Sequence, residues 1–265
     1  MIEVRKIARH FGALRAVDDC SFSIEPGRIT GIVGPNGAGK STVFNIIAGA
    51  LKPTSGTILL ADEDITGRAP HELHAKGLLR TFQIAQEFHR MTVFENLLAA
   101  APNPEGDSLL RAFLDPSAMR HREWTNRKRA EEVMRFLHLD GVAGALAGEI
   151  SGGQKKLLEL GRTLMVDARV VLLDEIAAGV NRVLLGHIEE RIRSMNTERG
   201  LTFCIIEHDM DFIARLCDHV IVMAEGRVLT QGRMEDVRRD ERVIEAYFGG
   251  GRFHSAGSPV SGHAG

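Results

Sequence analysis

Residues 34–41, GPNGAGKS, match the pattern GxxxxGK[ST], in which glycines precede a lysine and a hydroxyl residue. The glycines let a loop wrap closely around a ligand, so that successive backbone N–H groups face phosphate oxygens. Lys40 can place its ammonium on the β and γ phosphates, and the Ser41 hydroxyl can bind Mg²⁺. An apolar run precedes the loop and a helical pattern follows it, as this pattern requires. The segment therefore predicts a site for a nucleoside triphosphate, but it does not say what the energy drives.

An acidic pair, Asp174 and Glu175, follows the apolar run VVLL. A Mg²⁺ ion held by Ser41 and two phosphates needs an acidic anchor, which Asp174 can supply. Glu175, one residue further on, can orient or deprotonate a water molecule for in-line attack. A solvated strand end is the alternative for any single Asp-Glu pair. The phosphate loop upstream favours the catalytic interpretation.

Three further features suggest chemistry but are weak on their own. His208 ends the apolar run TFCII and can donate to a γ-phosphate, although an isolated histidine there is more often structural. Gln83, in RTFQ, is by itself a polar residue near a strand end. Ser151, Gly152 and Gly153 stand at a predicted helix start, where bare N–H groups suit an anion. The alternative for this last group is a loop followed by a helix cap.

Short β-rich runs alternate with helical patterns along most of the chain, which predicts an α/β fold. A helix follows the phosphate loop, with Val43, Phe44, Ile47 and Leu51 near one face. Two apolar runs close on acidic residues or histidine, as central parallel strands do at their carboxyl ends. The predicted strands are RITGIVG, TILLADEDI, RVVLLDE, TFCIIEHD and HVIVMAEG.

The middle of the chain lacks β-rich runs and predicts a helical insertion. Its second helix carries an apolar stripe of Ala130, Val133, Met134 and Leu137. The basic run at residues 127–129 favours a solvated helix face over a specific acidic partner. We expect a core of residues 1–87 and 150–249, a helical subdomain of residues 88–149, and a disordered Gly/Ser-rich tail of residues 250–265.

Composition and charge exclude several classes of protein. The formal net charge of −2 gives no electrostatic reason to expect nucleic-acid binding. Three scattered cysteines, Cys20, Cys204 and Cys217, form no CxxC or Cys/His cluster, which predicts reduced thiols in a cytosolic compartment and no zinc site. The N-terminus lacks the apolar run of a signal peptide, and no segment approaches the ~18 apolar residues that span a bilayer. Other chains would have to supply any membrane span.

Five segments occur in one order: GPNGAGKST, RTFQ, ISGGQ, VVLLDE and EHD. In this order they resemble the nucleotide-binding subunit of an ABC transporter, over essentially the whole chain to about Gly249. The SGGQ segment is the most specific of the five. The resemblance implies a P-loop NTPase (RecA-like) core, an antiparallel β subdomain and an inserted α-helical subdomain.

The resemblance also implies roles for individual residues. ATP and Mg²⁺ would be the cofactors, with Ser41, Gln83 and Asp174 at the metal. Glu175, His208 and Gln83 would act in catalysis, with Gln83 also relaying the nucleotide state to a membrane partner. The signature segment (residues 151–154) would cap an ATP molecule held by a second subunit, so that two subunits meet head to tail. Phe11 would stack on adenine, although a single Phe is as readily a core residue. The implied nucleotide-binding residues are Phe11, Gly34, Pro35, Asn36, Gly37, Ala38, Gly39, Lys40, Ser41, Thr42, Ser151, Gly152, Gly153 and Gln154.

Several stretches, among them RTFQIAQEFHRMTVFENLLAA and VIEAYFGG, are similar to the branched-chain amino-acid subgroup of these ATPases. The partners implied are transmembrane permease subunits, a second ATPase subunit (self or paralogue) and, indirectly, an extracytoplasmic binding protein. The location implied is peripheral, on the cytoplasmic face of the inner membrane. Three residues depart from the family pattern: Ile150 replaces Leu, Ile176 replaces a Pro and predicts a looser turn, and Asn181 replaces an Asp.

Other functions remain possible on these residues. A lipopolysaccharide-export ATPase is a near neighbour of the subgroup. A non-transport ABC protein of DNA repair or the ribosome commonly carries a long coiled-coil insertion or two ATPase units, and neither feature is found in this sequence. A P-loop kinase would give no reason for SGGQ.

Overall fold

The computed structural model describes residues 1–81, 87–102 and 116–248, and its strands form two sheets. The strands are β1 Ile2–Phe11, β2 Leu14–Ile24, β3 Ile29–Val33, β4 Ser55–Leu60, β5 Glu63–Asp64, β6 Leu78–Arg80, β7 Val170–Asp174, β8 Thr202–Ile206, β9 His219–Ala224 and β10 Arg227–Gly232.

Helices cover both faces of the larger sheet. They are α1 Lys40–Ile47, α2 Pro70–Ala75, α3 Val93–Ala100, α4 Pro116–Leu137, α5 Gly152–Leu164, α6 Arg182–Arg199, α7 Met210–Leu216, α8 Met234–Val237 and α9 Glu241–Phe248. A short 3₁₀ turn, Asp140–Val142, lies between α4 and α5.

The larger sheet has six strands in the order β10-β9-β3-β8-β7-β6. Strands β9, β3, β8, β7 and β6 are parallel, and β10 is antiparallel to β9 at the edge. All residues of β3, β7 and β8 are buried, because helices cover both faces of the sheet. The predicted α/β architecture and its apolar central strands are confirmed, and the residues that follow the strands meet at one edge.

The smaller sheet is antiparallel, in the order β2-β1-β4-β5. The resemblance implied such a sheet, but β1 and β2 were missing from the strands predicted by pattern. Register shifts interrupt the pairing of β1 with β2, and Lys6 and Asp19 have positive φ angles of 47° and 51°. These bulges break the two-residue alternation that sequence patterns rely on.

Two hydrophobic cores lie on opposite faces of the six-stranded sheet. Along β7, Val171 and Leu173 enter the core beneath α5 and α6, whereas Val170 and Leu172 enter the core beneath α1 and the antiparallel sheet. This alternation follows from the two-residue period of a strand. The first core also holds the four residues of the stripe predicted on α4, so the helical region is packed onto the sheet by apolar contact.

The basic run on α4 is only partly the solvated face that we expected. Arg127 and Lys128 pair with Glu123 and Glu131 of the same helix, all exposed. Arg129, however, donates to the backbone carbonyls of Leu164 and Val166 at 2.9 and 3.1 Å. The carbonyls at a helix C-terminus lack intrahelical partners, and a guanidinium with several donors satisfies them. For Arg129 the prediction of a purely solvated side chain was therefore wrong.

Within the described residues, no helix is both long enough and apolar enough to cross a membrane. Two earlier predictions concern residues outside this part of the chain: the role of Gln83, and the disorder of the tail at residues 250–265.

Candidate functional site

The carboxyl ends of three parallel strands, β3, β7 and β8, bring most of the predicted site residues to one edge of the sheet. The phosphate cradle (residues 34–42) follows β3, and Asp174 and Glu175 lie at the end of β7. Glu207 and His208 follow β8, which lies between β3 and β7. Ligands of open α/β sheets bind at this edge.

The cradle leads into α1, and no side chain caps the N–H groups in the first turn of this helix. The N-cap residue Gly39 has a φ of 93° and makes no side-chain cap bond. A Cβ atom at Gly39 would lie 2.4 Å from the carbonyl oxygen of Ala16, so both the backbone conformation and the space require glycine. The free N–H groups and the positive end of the helix dipole are suited to an anion.

Lys40 is buried and its ammonium faces the cradle. Its Nζ donates to the carbonyl oxygens of Gly34 and Pro35 at 2.8 and 3.0 Å. Burial lowers the pKa of Lys40, while the charges of Glu175 and Asp174 act in the opposite direction. A cation is thus held in the cradle, close to the acidic strand end.

Glu175 and His208 contact each other directly. His208 Nε2 lies 3.1 Å from Glu175 Oε1. The Glu175 backbone is left-handed, with a φ of 50°, and its N–H donates to Ile206 O at 2.9 Å, which fixes the turn after β7 against β8. Two of the three residues that the resemblance assigned to catalysis are therefore brought together by neighbouring strands.

Glu207, which we had not singled out, closes the turn after Glu175. Its Oε1 accepts from Ala177 N at 2.6 Å and its Oε2 accepts from His208 N at 3.2 Å. Burial raises the pKa of Glu207, although these two backbone donors partly offset the shift. The turn that Ile176 was expected to loosen is thus held by hydrogen bonds, and Ile176 itself is buried.

Asp174 forms a buried ion pair with a residue that the sequence analysis gave no role. Arg80, at the end of β6, donates from one nitrogen to Asp174 Oδ2 at 2.8 Å and from the other to Asn45 Oδ1 of α1 at 2.6 Å. The only indication in the sequence was its position as the first residue of RTFQ. Only the folded sheet shows what it contacts.

The residues present fit a Mg²⁺ ion bound together with phosphates. Ser41 is exposed in the first turn of α1, and the Oδ1 atom of Asp174 has no hydrogen bond within the described residues. Hydroxyl and carboxylate oxygens are the ligands that Mg²⁺ prefers. Since the described residues contain no cluster of three or more His, Cys, Asp or Glu suited to a metal, nucleotide oxygens would have to complete the coordination.

The signature segment begins α5 with a capping box. Gln154 N donates to the Ser151 hydroxyl at 3.3 Å, and Ser151 N donates to Gln154 Oε1 at 2.9 Å. Ser151 and Gly152 are exposed, whereas Gly153 is buried. A Cβ atom at Gly153 would lie 1.5 Å from Leu184 Cδ2 of α6, so glycine allows the two helices to approach closely. The first turn of α5 is therefore accessible from solvent but fixed against α6.

A second buried ion pair anchors the same turn of α5. Lys155 Nζ lies 2.9 Å from Glu87 Oε1, and the Glu87 side chain is only 4% exposed. Burial, the largest single influence, raises the pKa of Glu87, but the hydrogen bond from Lys155, a backbone hydrogen bond and the charges of Lys155 and His89 together outweigh it, and the pKa is lowered. This contact fixes the orientation of α5 relative to residue 87.

The structure does not join all the predicted residues into one site. Among the described residues, no hydrogen bond or ion pair links residues 151–154 to the cradle. Phe11 is exposed at the β1–β2 hairpin, with the Arg9 guanidinium 4.6 Å from its ring centroid. Asn181 caps α6 by accepting from Leu184 N at 3.0 Å. The adenine contact of Phe11 stays a prediction, and Gln83 lies outside the described part of the chain.

Comparison with known proteins agrees with the motifs. A family model described as ABC transporter matches residues 17–178, and one described as branched-chain amino acid ATP-binding cassette transporter matches residues 227–252. A probable branched-chain amino acid transport ATP-binding protein LivG of Methanocaldococcus jannaschii is 37% identical, over 94% of this chain and 97% of that protein. The high-affinity branched-chain amino acid transport ATP-binding protein BraF of Pseudomonas aeruginosa is 35% identical, over 94% and 98%. A crystal structure of a nucleotide-free ATP-binding cassette from an ABC transporter superimposes with a TM-score of 0.80 at 37% identity, over 93% of this chain and 98% of that one.

Proposed function

Because the chain belongs to the ATP-binding cassette family of ABC transporters, whose members hydrolyse ATP to power transport, we propose that it energises an importer of branched-chain or other amino acids, or of related small amides or carboxylates. The relatives' names support the substrate class. Substrate specificity would lie in a membrane permease and in an extracytoplasmic binding protein.

The observation that supports a transport ATPase most strongly is the exposed start of α5. The chain has a complete phosphate cradle, and it also presents a second anion-binding helix N-terminus that its own cradle does not contact in the described residues. A head-to-tail pair of subunits would give that second turn a nucleotide to bind. Each ATP would then contact the cradle of one subunit and the signature segment of the other.

ATP bound between two faces would favour the closed dimer by its differential affinity for that state. Loss of the γ-phosphate removes this preference, so hydrolysis would reopen the dimer. The partner subunit is this chain or a paralogue. The assembly would lie on the cytoplasmic face of the membrane, attached through the permease.

The chemistry assigned to the site follows from its geometry. Lys40 and the N–H groups of α1 would hold the β and γ phosphates, and Glu175 would orient or deprotonate the attacking water. His208, 3.1 Å from Glu175, would donate to the γ-phosphate and keep the carboxylate in place. Mg²⁺, when bound, would neutralise charge on the phosphates, with Ser41, Gln83 and Asp174 as its protein contacts. No covalent intermediate with the protein is needed.

We also propose the division of the chain that the sequence predicted. Residues 1–87 and 150–249 would form the ATPase core, and residues 88–149 a helical subdomain. The described residues between β6 and β7 form helices and no named strand, which supports this division.

One experiment separates transport from the alternative functions. The chain is expressed with its genomic neighbours, purified from detergent-solubilised membranes, and assayed for phosphate release with and without candidate amino acids. We expect co-purification with a membrane protein and release of free phosphate. Co-purification with nucleic acid would indicate a non-transport ABC protein, and a phosphorylated acceptor in place of free phosphate would indicate a kinase.

A further inference from the structure

Arg80 bridges two elements of the site that are far apart in the sequence, α1 and β7. Its guanidinium reaches Asp174 Oδ2 on β7 and Asn45 Oδ1 on α1, at 2.8 and 2.6 Å. The Arg80 and Asp174 side chains are only 17% and 5% exposed, so the bridge is shielded from water and from salt.

Asp174 needs a cation next to it because a buried carboxylate without a counter-charge is strongly unfavourable. Within the described residues, Arg80 is the cation in direct contact with Asp174. Lys40 also interacts with this carboxylate electrostatically, but its ammonium donates to the carbonyls of Gly34 and Pro35. The direct pairing is therefore supplied by Arg80.

The second contact of Arg80 links the ion pair to the helix of the phosphate cradle. Asn45 lies four residues after Ser41 on α1, and residues four apart lie on the same face of a helix. The bridge therefore connects the face of α1 that carries Ser41 to the carboxylate of Asp174. These are two of the three residues that the proposed function places at Mg²⁺.

We propose that Arg80 is a positioning residue for the metal site: it balances the charge of Asp174 and fixes the spacing between Asp174 and the Ser41 face of α1. This inference rests on the proposed function, because it concerns the same Mg²⁺. Arg80 engages Oδ2 of Asp174 and leaves Oδ1 without a hydrogen-bond partner among the described residues, so that the carboxylate is oriented and still able to serve the metal.

A lysine cannot replace Arg80 in this role. The planar guanidinium directs separate N–H groups to two acceptors at fixed angles, whereas an ammonium is a point charge on a flexible stem. Arg80→Lys therefore keeps the charge beside Asp174 and removes the fixed bridge to Asn45. This variant separates geometry from charge.

The test measures how strongly Mg²⁺ assists nucleotide binding. A fluorescent ADP analogue is titrated onto the full chain in EDTA and at increasing Mg²⁺ concentrations. For Arg80→Lys we expect the half-saturating Mg²⁺ concentration to rise by about 10- to 100-fold, the usual effect of losing a group that orients a metal ligand, with affinity in EDTA unchanged. Arg68→Met, which removes a half-buried arginine that also contacts two carboxylates, is the matched control and should respond to Mg²⁺ as the wild type does.

Thermal unfolding in EDTA supplies a second readout that needs no nucleotide. Arg80→Met leaves Asp174 buried and unpaired, so its Tm should fall by roughly 6–20 °C. Arg80→Met combined with Asp174→Asn should regain most of the loss, because the buried charge is then absent. The proposed role of Arg80 is wrong if Arg80→Lys responds to Mg²⁺ as the wild type does. It is also wrong if the Tm of the double variant is no higher than that of Arg80→Met. A wild type that shows no response to Mg²⁺ would instead contradict the proposed function.

Discussion

Two helices of this chain begin with residues suited to an anion, and they differ in what surrounds their first turns. The first turn of α1 has no side-chain cap and lies beside a buried lysine and two carboxylates. The first turn of α5 is exposed and is capped by its own Ser151 and Gln154. A single chain thus supplies all the groups around the first turn of α1 that are suited to phosphates. The first turn of α5 is hydrogen-bonded to its own capping side chains, and no catalytic group contacts it among the described residues.

The proposed composite site gives the exposed turn of α5 a purpose in a chain that already has a phosphate cradle. The capping box satisfies two N–H groups of this turn, those of Ser151 and Gln154, when the subunit is alone. A γ-phosphate from another subunit would take over those bonds, since an anion at a helix N-terminus also gains from the dipole. The two sites would then be halves of one composite site, and substitutions in them should have separable effects.

The largest effect is expected at the α1 site. Lys40→Ala removes the buried ammonium, and loss of a charge-assisted bond to phosphate should weaken ATP binding by about 30- to 1,000-fold. Titration with a fluorescent ATP analogue measures this affinity. Lys76→Ala, which removes a lysine paired with Glu63 away from the cradle, is the control and should bind as the wild type does. If Lys40→Ala binds the ATP analogue as tightly as the wild type does, the nucleotide does not bind in the cradle.

The α5 site should show a loss of a different kind. Ser151→Arg replaces the capping hydroxyl with a bulky side chain at the exposed turn. Among the described residues, this turn makes no hydrogen bond or ion pair with the cradle of the same chain. We expect ATP binding to stay within about threefold of the wild type, while hydrolysis falls by at least ~100-fold, the usual effect of losing a donor to the reacting group. Equal losses of binding and hydrolysis would argue against a composite site.

How far the sequence could predict these sites depends on how local their determinants are. The cradle occupies consecutive residues between a strand and a helix, so its function could be inferred from spacing alone. The bridge of Arg80 to Asn45 and Asp174 joins positions 35 and 94 residues apart, and nothing in the local pattern predicts it. It exists because β6 pairs with β7 and because α1 packs nearby.

The strands likewise divide into those that the local sequence predicts and those that it does not. Fully buried strands such as β7 and β8 are continuous apolar runs and were predicted. The bulged strands β1 and β2, and the half-buried edge strand β10, have no clean period and were missed. Arg129 shows the same limit for a side chain, because its carbonyl partners lie 35 and 37 residues away.

A smaller effect should follow from disturbing the contact that fixes the α5 turn. Gly153→Ala places a methyl group where Leu184 now lies, and such overpacking costs about 1–3 kcal/mol. We expect hydrolysis to fall by roughly tenfold, because the turn is displaced while the cradle is intact. Adding Leu184→Ala should restore part of the rate by making room. A double variant no faster than Gly153→Ala would mean that this packing does not position the turn.

The most direct test of the composite site measures the mass of the particle that binds ATP. Glu175→Gln should bind ATP and hydrolyse it very slowly, so the closed state should accumulate. Gel filtration with light scattering in saturating ATP should then give twice the mass of one chain, and adding Ser151→Arg to Glu175→Gln should return it to a single chain that still binds ATP. Two results together would contradict the account. The Glu175→Gln protein would remain a monomer with ATP bound, and the wild type would hydrolyse ATP at a rate per chain that does not depend on protein concentration.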